Sequence, residues 1–349
     1  MGIGTAAPPC SYEQSQCWGA LQQAPQFNQL TSRSRAILKK VLLAKNGIAR
    51  RHLALDPLAD IFELSPDTLH RRFAQHAPAL ATQAAERALA DAELLAGEID
   101  AILISTCTGY LCPGLTSYVT EKLGLPQTVF ALDLVGQGCG AALPNLRAAT
   151  NLLASGRHKK VLSICVEVCS AAFYLDDDPG VLISACLFGD GAGAVVLSNE
   201  PNSKRRRVQW KNFHTIISPA DRDLLRFEQK NGMLRNILSP EVPKLAAKFA
   251  NTVFEELLRS TGESREKIST WILHAGGRDV LLALQKELNL SPADIVWSAH
   301  VLREFGNLSS PFVFFVLERA LLENAPGGLW WMASFGAGFS SHGALLEVQ

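Results

Sequence analysis

Apolar residues recur at helical spacing over residues 81–96, and Ile99-Asp100-Ala101-Ile102-Leu103-Ile104-Ser105-Thr106 then reads as a buried strand. A loop containing Gly and Pro follows at 109–114, then a helix closing at Glu121-Lys122-Leu123-Gly124-Leu125 and a strand near 129–134. A Gly-rich turn at 136–140 opens an apolar helix over 141–154, and strands are expected at 160–167 and 192–198. Residues 199–207 are polar, contain Pro201, and read as a connection between two domains.

Beyond that connection the order repeats. A helix over 246–260 leads to a strand over 268–274, then Gly276-Gly277, a helix closing at 286–290 and a strand near 295–298. After Phe305-Gly306 an apolar helix is expected from about 308 to 322. Residues 121–125 fall on 286–290, and Gly138-Cys139 falls on Gly306-Asn307 to within a few positions. The repetition predicts a layered α/β fold of two halves, 1–205 and 206–349, related by a pseudo-twofold axis.

Composition narrows the function classes. At 349 residues the chain is too long for one ordinary core and suits a large duplicated fold. Its charged fraction, 19%, is below the usual quarter and predicts extensive buried surface, a subunit interface included. Balanced charge, 33 basic against 33 acidic side chains, argues against a nucleic-acid binder. The basic run at 204–207 reads as a solvated loop. No stretch reaches the roughly 18 apolar residues of a membrane span. The first residues lack the charged region of a secretion leader, and Ala6 stands where a myristoylation signal wants Ser or Thr. Eight cysteines, mostly within apolar runs, are no secreted disulfide framework. A soluble, cytoplasmic protein is expected.

Three polar residues change the picture. Cys139 lies in a Gly-lined turn opening a helix, where free N–H groups favour a thiolate and lower the thiol pKa. His274 ends the apolar strand Thr270-Trp271-Ile272-Leu273, and Asn307 follows Phe305-Gly306. Each alone has a blander account: a buried free thiol, a core histidine, a helix cap. Together they share a position at the C-terminal ends of strands, where open α/β folds gather their sites. A Cys–His–Asn set suits acyl transfer, with Cys as nucleophile and His as its partner.

At these residues the chain resembles the type III polyketide synthases, the chalcone-synthase-like branch of the thiolase superfamily. The resemblance runs from about Gly4 to Val348. It rests on Gly136-Gln137-Gly138-Cys139-Gly140, Leu187-Phe188-Gly189-Asp190-Gly191, His274-Ala275-Gly276-Gly277, Phe305-Gly306-Asn307-Leu308-Ser309-Ser310 and Ser334-Phe335-Gly336-Ala337-Gly338. Plant members usually carry Pro in place of Ala275. The resemblance implies a thiolase-like duplicated αβαβα fold, a homodimer, and acyl-CoA and malonyl-CoA as substrates with no further cofactor. It implies that Cys139 carries the acyl thioester and rests as a thiolate against the His274 imidazolium. His274 and Asn307 would stabilise the enolate left by decarboxylation, and Phe188 would be the gatekeeper to the buried cavity.

The resemblance also places Cys107, Cys112, Cys169, Ala172 and Ser309 at the pocket. Plant enzymes carry Thr at the positions of Cys107, Cys169 and Ala172, and Met at Cys112. The less polar wall here suits an alkyl chain better than a phenol, so a fatty acyl starter and alkylpyrone or alkylresorcinol products are expected. Lys45, Arg50, Arg51, Gly276 and Gly277 are candidates for binding CoA. The family's second gatekeeper falls in a shortened stretch after Asn231-Gly232-Met233-Leu234-Arg235 and takes no residue.

Other readings compete. A 3-ketoacyl-ACP synthase III would show His-Gln-Ala-Asn where this chain has His-Ala-Gly-Gly. A zinc-binding structural protein would use the pairs Cys107/Cys112 and Cys165/Cys169, which lie in apolar rather than loop-rich segments. A cysteine hydrolase would cleave thioesters without releasing carbon dioxide from malonyl-CoA. Asp176-Asp177-Asp178 reads as an acidic loop rather than a metal site, and Gly136, Gly138 and Gly140 lack dinucleotide-fingerprint spacing.

Overall fold

The protein is described by a computed structural model covering residues 1–44, 47–200 and 206–349. A five-stranded sheet runs in the order Gly2–Ala6, Gly191–Ser198, Lys160–Glu167, Ala101–Thr106, Phe130–Val135. The first two pairings are antiparallel and the last two parallel. A four-stranded sheet repeats the scheme with Val208–Ile217, Ser340–Val348, Gly328–Gly336 and Ile268–Leu273: antiparallel, antiparallel, parallel. The duplication expected from the sequence is therefore present, one strand short.

The missing strand is the one expected near 295–298, where a helix, Val296–Phe305, forms instead. Three apolar residues and a serine do not distinguish the two periods. The residues that follow decide it, because Ser298, Val301 and Leu302 are buried together at the i, i+3, i+4 spacing of one helix face. Asn307 accordingly follows a helix, whereas Cys139 and His274 do follow strands.

Between the sheets lie helices Ala142–Ala154 and Phe312–Leu322, each in contact with strands of both sheets. Phe312–Leu322 buries Phe312, Val313, Phe314, Phe315, Val316, Leu317 and Ala320, the all-round apolar surface of a helix enclosed on every side. On the outer faces, Pro66–Ala92 covers the first sheet and Val242–Thr261 the second. The five layers are helix, sheet, helices, sheet, helix: a duplicated αβαβα fold.

The two sheets span residues 2–198 and 208–348, and the boundary expected at 205/206 lies outside the described residues on one side. Of the basic run at 204–207, residues 204 and 205 lie outside the described residues, Arg207 is exposed, and Arg206 is half-buried, its Nη1 donating to the Ala325 carbonyl at 2.9 Å and its guanidinium 5.5 Å from the Trp330 ring centroid. Two additions were not read from the sequence. Helices Gln14–Gln23 and Ser32–Leu43 form a cap over one end of the first half, and a hairpin pairs Leu225–Lys230 with Met233–Leu238. That hairpin turns at Asn231-Gly232, both at positive φ, as a tight two-residue connection requires. Among the described residues no helix is long and apolar enough to cross a membrane.

Candidate active site

Cys139 occupies a single 3₁₀ turn, Gly138–Gly140, between strand Phe130–Val135 and helix Ala142–Ala154. Gly138 has φ +55°, and a Cβ there would come within 2.8 Å of the Ala337 backbone nitrogen. Only a residue without a side chain allows the turn to lie backbone to backbone on the glycine loop of the other half. Ser334 Oγ donates to the Gly140 carbonyl at 3.0 Å and fastens the same contact.

His274 and Asn307 approach from the second half. The His274 N–H donates to the Ala333 carbonyl at 2.9 Å, which extends its strand by one residue. Its ring packs against Phe312 and Phe335 with centroids 5.3 and 4.9 Å away. Asn307 is fixed on both sides of its peptide, donating to Leu187 O at 2.8 Å and accepting from Gly189 N–H at 3.0 Å. Its carboxamide is oriented too: Nδ2 donates to Gly276 O at 3.0 Å and Oδ1 accepts the Ser309 N–H at 2.8 Å. Ser309, at φ +58°, sends its hydroxyl to Cys139 Sγ at 3.2 Å. A side chain held in the left-handed region beside a thiol is strain of the kind found at functional sites. The relay Gly276–Asn307–Ser309–Cys139 draws the His turn, the Asn motif and the thiol to one place.

The thiol opens onto a cavity whose wall includes Phe188, Cys107, Cys169, Ala172 and Ser309. Phe188 caps helix Pro179–Leu187 and forms an isolated bridge to Asn307. Cys112, expected at the pocket, is instead exposed and off this wall, in the loop before helix Leu115–Leu123. The hairpin adds Leu225, Phe227 and Asn236 to the wall, so Phe227 supplies an aromatic side chain where sequence reading assigned none.

Comparison with known proteins agrees with this architecture. The family model described as FAE1/type III polyketide synthase-like protein matches residues 9–223, and the C-terminal domain of chalcone and stilbene synthases matches residues 216–342. The chain belongs to the type III polyketide synthases. Among its relatives, 3,5-dihydroxyphenylacetyl-CoA synthase of Streptomyces toyocaensis is 30% identical over 99% of this chain and 89% of its own. The alpha-pyrone synthesis polyketide synthase-like Pks18 of Mycobacterium tuberculosis is 29% identical over 87% of this chain and 80% of its own. The structure of PKS-I from the brown alga Ectocarpus siliculosus superposes with TM-score 0.90 at 25% identity, covering 99% of this chain and 97% of that one.

Electrostatics in this type III polyketide synthase depart from expectation. Burial pushes the Cys139 thiol up to about 12, Ser309 opposing and Glu167 reinforcing that shift. Burial pushes His274 down to about 3, and neither of its ring nitrogens has a hydrogen-bond partner. Both shifts run against a resting thiolate–imidazolium pair. Removal from water outweighs the helix N-terminus at the sulfur, and the imidazole is enclosed by phenyl rings rather than by a counter-charge.

Glu167 is the site residue that sequence reading missed. It ends strand Lys160–Glu167, is fully buried, and accepts from Cys107 N–H at 3.0 Å, Thr108 Oγ1 at 2.9 Å and Ser310 Oγ at 2.6 Å. Cys107 Sγ lies 3.3 Å from it and Ser309 Oγ 3.5 Å. Burial raises its pKa against these donors. The available signal was a lone acid closing an eight-residue apolar strand at its C-terminal end. Ser309 and Glu167 act on the thiol with opposite sign. Ser309→Ala should move the pH profile of Cys139 alkylation by iodoacetamide toward higher pH, and Glu167→Gln toward lower pH. Peptide mapping at each pH checks both directions.

The CoA-binding candidates fare differently. Arg51 is buried, its Nε donating to Gln14 Oε1 at 3.1 Å and Nη1 to the carbonyls of Ala185 and Phe188 at 2.9 and 3.1 Å. It holds the C-terminal end of the Phe188 helix instead of facing phosphates. Arg50 is exposed and lies 3.4 Å from Glu304. The Gly276 carbonyl is taken by Asn307, Gly277 caps helix Arg278–Glu287, and neither lines the cavity. Lys45 lies outside the described residues.

The two cysteine pairs do not converge. Cys165 Sγ pairs with Ser105 Oγ at 3.0 Å inside the sheet, and Cys112 is exposed. Among the described residues no group of three His, Cys, Asp or Glu side chains is placed to hold a metal ion. The acidic loop is structural: Asp176 and Asp178 lie 2.7 and 3.6 Å from Arg235, and Asp177 accepts from Thr31.

Proposed function

We propose that the enzyme condenses malonyl-CoA repeatedly onto a fatty acyl starter held on Cys139, releasing alkylpyrone or alkylresorcinol products. The observation that carries this reading is the Cys139 thiol, bonded through Ser309 to Asn307 and opening on a mainly apolar cavity. On loading, the Cys139 proton passes to His274, whose nitrogens have no other partner. Cys139 sulfur attacks the acyl-CoA carbonyl, and the CoA thiolate leaves with the proton. Malonyl-CoA then loses carbon dioxide, and His274 and the second Asn307 Nδ2–H stabilise the enolate oxygen. The enolate carbon attacks the acyl-Cys139 carbonyl and expels the Cys139 thiolate, which can take the lengthened acyl group from CoA in the next round. Phe188 and Phe227 keep water from the carbanion. As written, this chemistry takes no cofactor besides the CoA thioesters, because decarboxylation supplies the nucleophile.

The name of Pks18, an alpha-pyrone synthesis protein, supports the alkylpyrone reading, and the wall of Cys107, Cys169 and Ala172 supports an alkyl starter. Labelled malonyl-CoA offered with a graded series of acyl-CoA esters tests it. Long-chain starters should give pyrones or resorcinols at least about tenfold faster than aromatic starters. Preference for an aromatic ester, or full turnover with malonyl-CoA alone, would overturn the fatty-acyl reading. Eight free cysteines suit the reducing cytoplasm, where we place the enzyme.

We propose that the working form is a homodimer joined along strand Phe130–Val135. Among the described residues this edge strand pairs only with Ala101–Thr106 and leaves Phe130, Leu132 and Val135 exposed by 42, 38 and 59%. An unpaired apolar edge of this kind pairs with another chain. Light scattering should report the mass of two chains, and the pair Leu132→Lys and Val135→Lys should reduce it to one. A dimer that survives both substitutions would place the interface elsewhere.

A further inference from the structure

The hairpin of Leu225–Lys230 and Met233–Leu238 belongs to neither large sheet, and its two faces do different things. On one face Arg235 stands opposite Glu228, its Nη1 donating to Oε1 at 2.9 Å, while its Nε donates to Asp176 at 2.7 Å. The alternate positions Leu225, Phe227 and Asn236 line the catalytic cavity, Asn236 directly opposite Phe227. Asn236 is 8% exposed, and among the described residues no hydrogen bond holds its carboxamide. We infer that Asn236 is a specificity-determining residue of the extension steps, anchoring a keto or enol oxygen of the growing chain and so setting how many malonyl units are added before release. The inference rests on the proposal that Cys139 carries the chain through repeated malonyl additions.

The other polar side chains of the wall are spent on the protein itself. Thr108 donates to Glu167 at 2.9 Å, Ser170 to Asp190 at 2.7 Å and Ser184 to the Gly180 carbonyl at 2.9 Å. Ser309 is held to Cys139, Arg51 to the Phe188 carbonyl, and Arg226 lies 3.0 Å from Asp223 and 3.1 Å from Glu228. Among the described residues Tyr174 alone is left beside Asn236, and it is half-buried. Buried polar groups are almost always paired, and a carboxamide left open on an apolar wall costs stability until a partner arrives. The substrates differ in what they offer it. A fatty acyl starter has no polar atom beyond its thioester, and malonyl-CoA loses its carboxylate before the new bond forms. Each condensation leaves one ketone, so the extended chain presents acceptor oxygens and, once enolised, an O–H donor. Asn236 answers both, Nδ2 donating to a ketone and Oδ1 accepting from an enol. Release as a pyrone requires the distal enol oxygen to bond to the thioester carbonyl while the C–S bond breaks and the enol proton passes to the sulfur. An oxygen held by Asn236 is kept from that attack, and the chain stays for another round.

Asn236→Leu keeps the volume and removes the polar atoms. With labelled malonyl-CoA and the starter the unaltered enzyme uses best, the ratio of the longest product to the next shorter one should fall at least about fivefold. Acyl loading on Cys139 precedes any ketone, so intact-mass analysis of the same samples reports whether the site is still formed. Asn236→Ala adds no bulk and carries the same expectation should the leucine variant fail to load. Nonane-2,4-dione, a dicarbonyl without a thioester, should inhibit the unaltered enzyme at least about fivefold more strongly than a variant that loads. Unchanged product ratios in such a variant, or equal inhibition by the dione, would overturn the anchor alone. Loss of loading in both variants would make Asn236 a residue the fold requires and would overturn the anchor as well. An unaltered enzyme that extends no starter would overturn the anchor together with the condensation reading.

Discussion

Cys139→Ala is expected to lower product formation by at least about 10⁴-fold and to leave carbon dioxide release from malonyl-CoA within about tenfold of the unaltered enzyme. The split follows from where the two half-reactions are held. Loading needs the sulfur, and the neighbouring thiol of Cys107 is turned toward Glu167, with Sγ 3.3 Å from its carboxylate. On the proposed mechanism, decarboxylation needs donors at the thioester oxygen, which His274 and Asn307 supply from the second half of the chain. The substitution removes one contact, the Ser309 hydroxyl at 3.2 Å, so the fold should change little. Intact-mass analysis after acyl-CoA treatment, with release of labelled carbon dioxide measured in parallel, reads both effects. A variant that loses both activities equally would mean that the sulfur is required for decarboxylation as well.

Much of the fold was legible because long periodic segments carry their own evidence. Strand Lys160–Glu167 has the expected bounds, helix Ala142–Ala154 starts one residue late, and the repetition that predicted two halves reappears as two sheets of matching order. Residues 295–298 misled because three apolar positions and a serine satisfy either period until Val301 and Leu302 are counted with them. The cap helices escaped notice because their apolar stripes are thin: Gln14–Gln23 buries only Gln14, Cys17 and Leu21.

Cys139, His274 and Asn307 were found from motif order, and the structure draws them together through links that order does not encode. Ser309 reaches the thiol from 170 positions away, and Glu167 from 28 positions beyond Cys139 gathers the hydroxyls around it. Arg51 was misread because a basic residue beside a helix end looks solvent-facing. Its role as an anchor for carbonyls 134 and 137 residues away is a tertiary fact. The protonation of the site was equally out of reach, since the helix-terminus argument for a low thiol pKa contains no desolvation.

Asn307→Ala should lower decarboxylation of malonyl-CoA by roughly 10²- to 10³-fold, the cost of losing one oriented donor to a developing oxyanion. Acyl loading on Cys139 should stay within about tenfold, because the sulfur and His274 remain. The substitution does more than remove a donor. It leaves the Gly276 carbonyl and the Ser309 N–H without the partners they have at 3.0 and 2.8 Å, and two buried polar groups left unsatisfied cost roughly 1–3 kcal/mol each. Thermal stability should fall accordingly, and Asn307→Asp separates that loss from the catalytic one. Aspartate keeps an oxygen for the Ser309 N–H, so the relay to Cys139 survives. It also sets an acceptor against the Gly276 carbonyl and presents negative charge to an enolate. Decarboxylation by the aspartate variant should therefore be at least as impaired as by the alanine variant. Its loading rate and alkylation profile should lie nearer those of the unaltered enzyme. Loss of loading in step with decarboxylation in both variants would assign Asn307 to positioning Ser309 and the thiol, and would leave the enolate to His274.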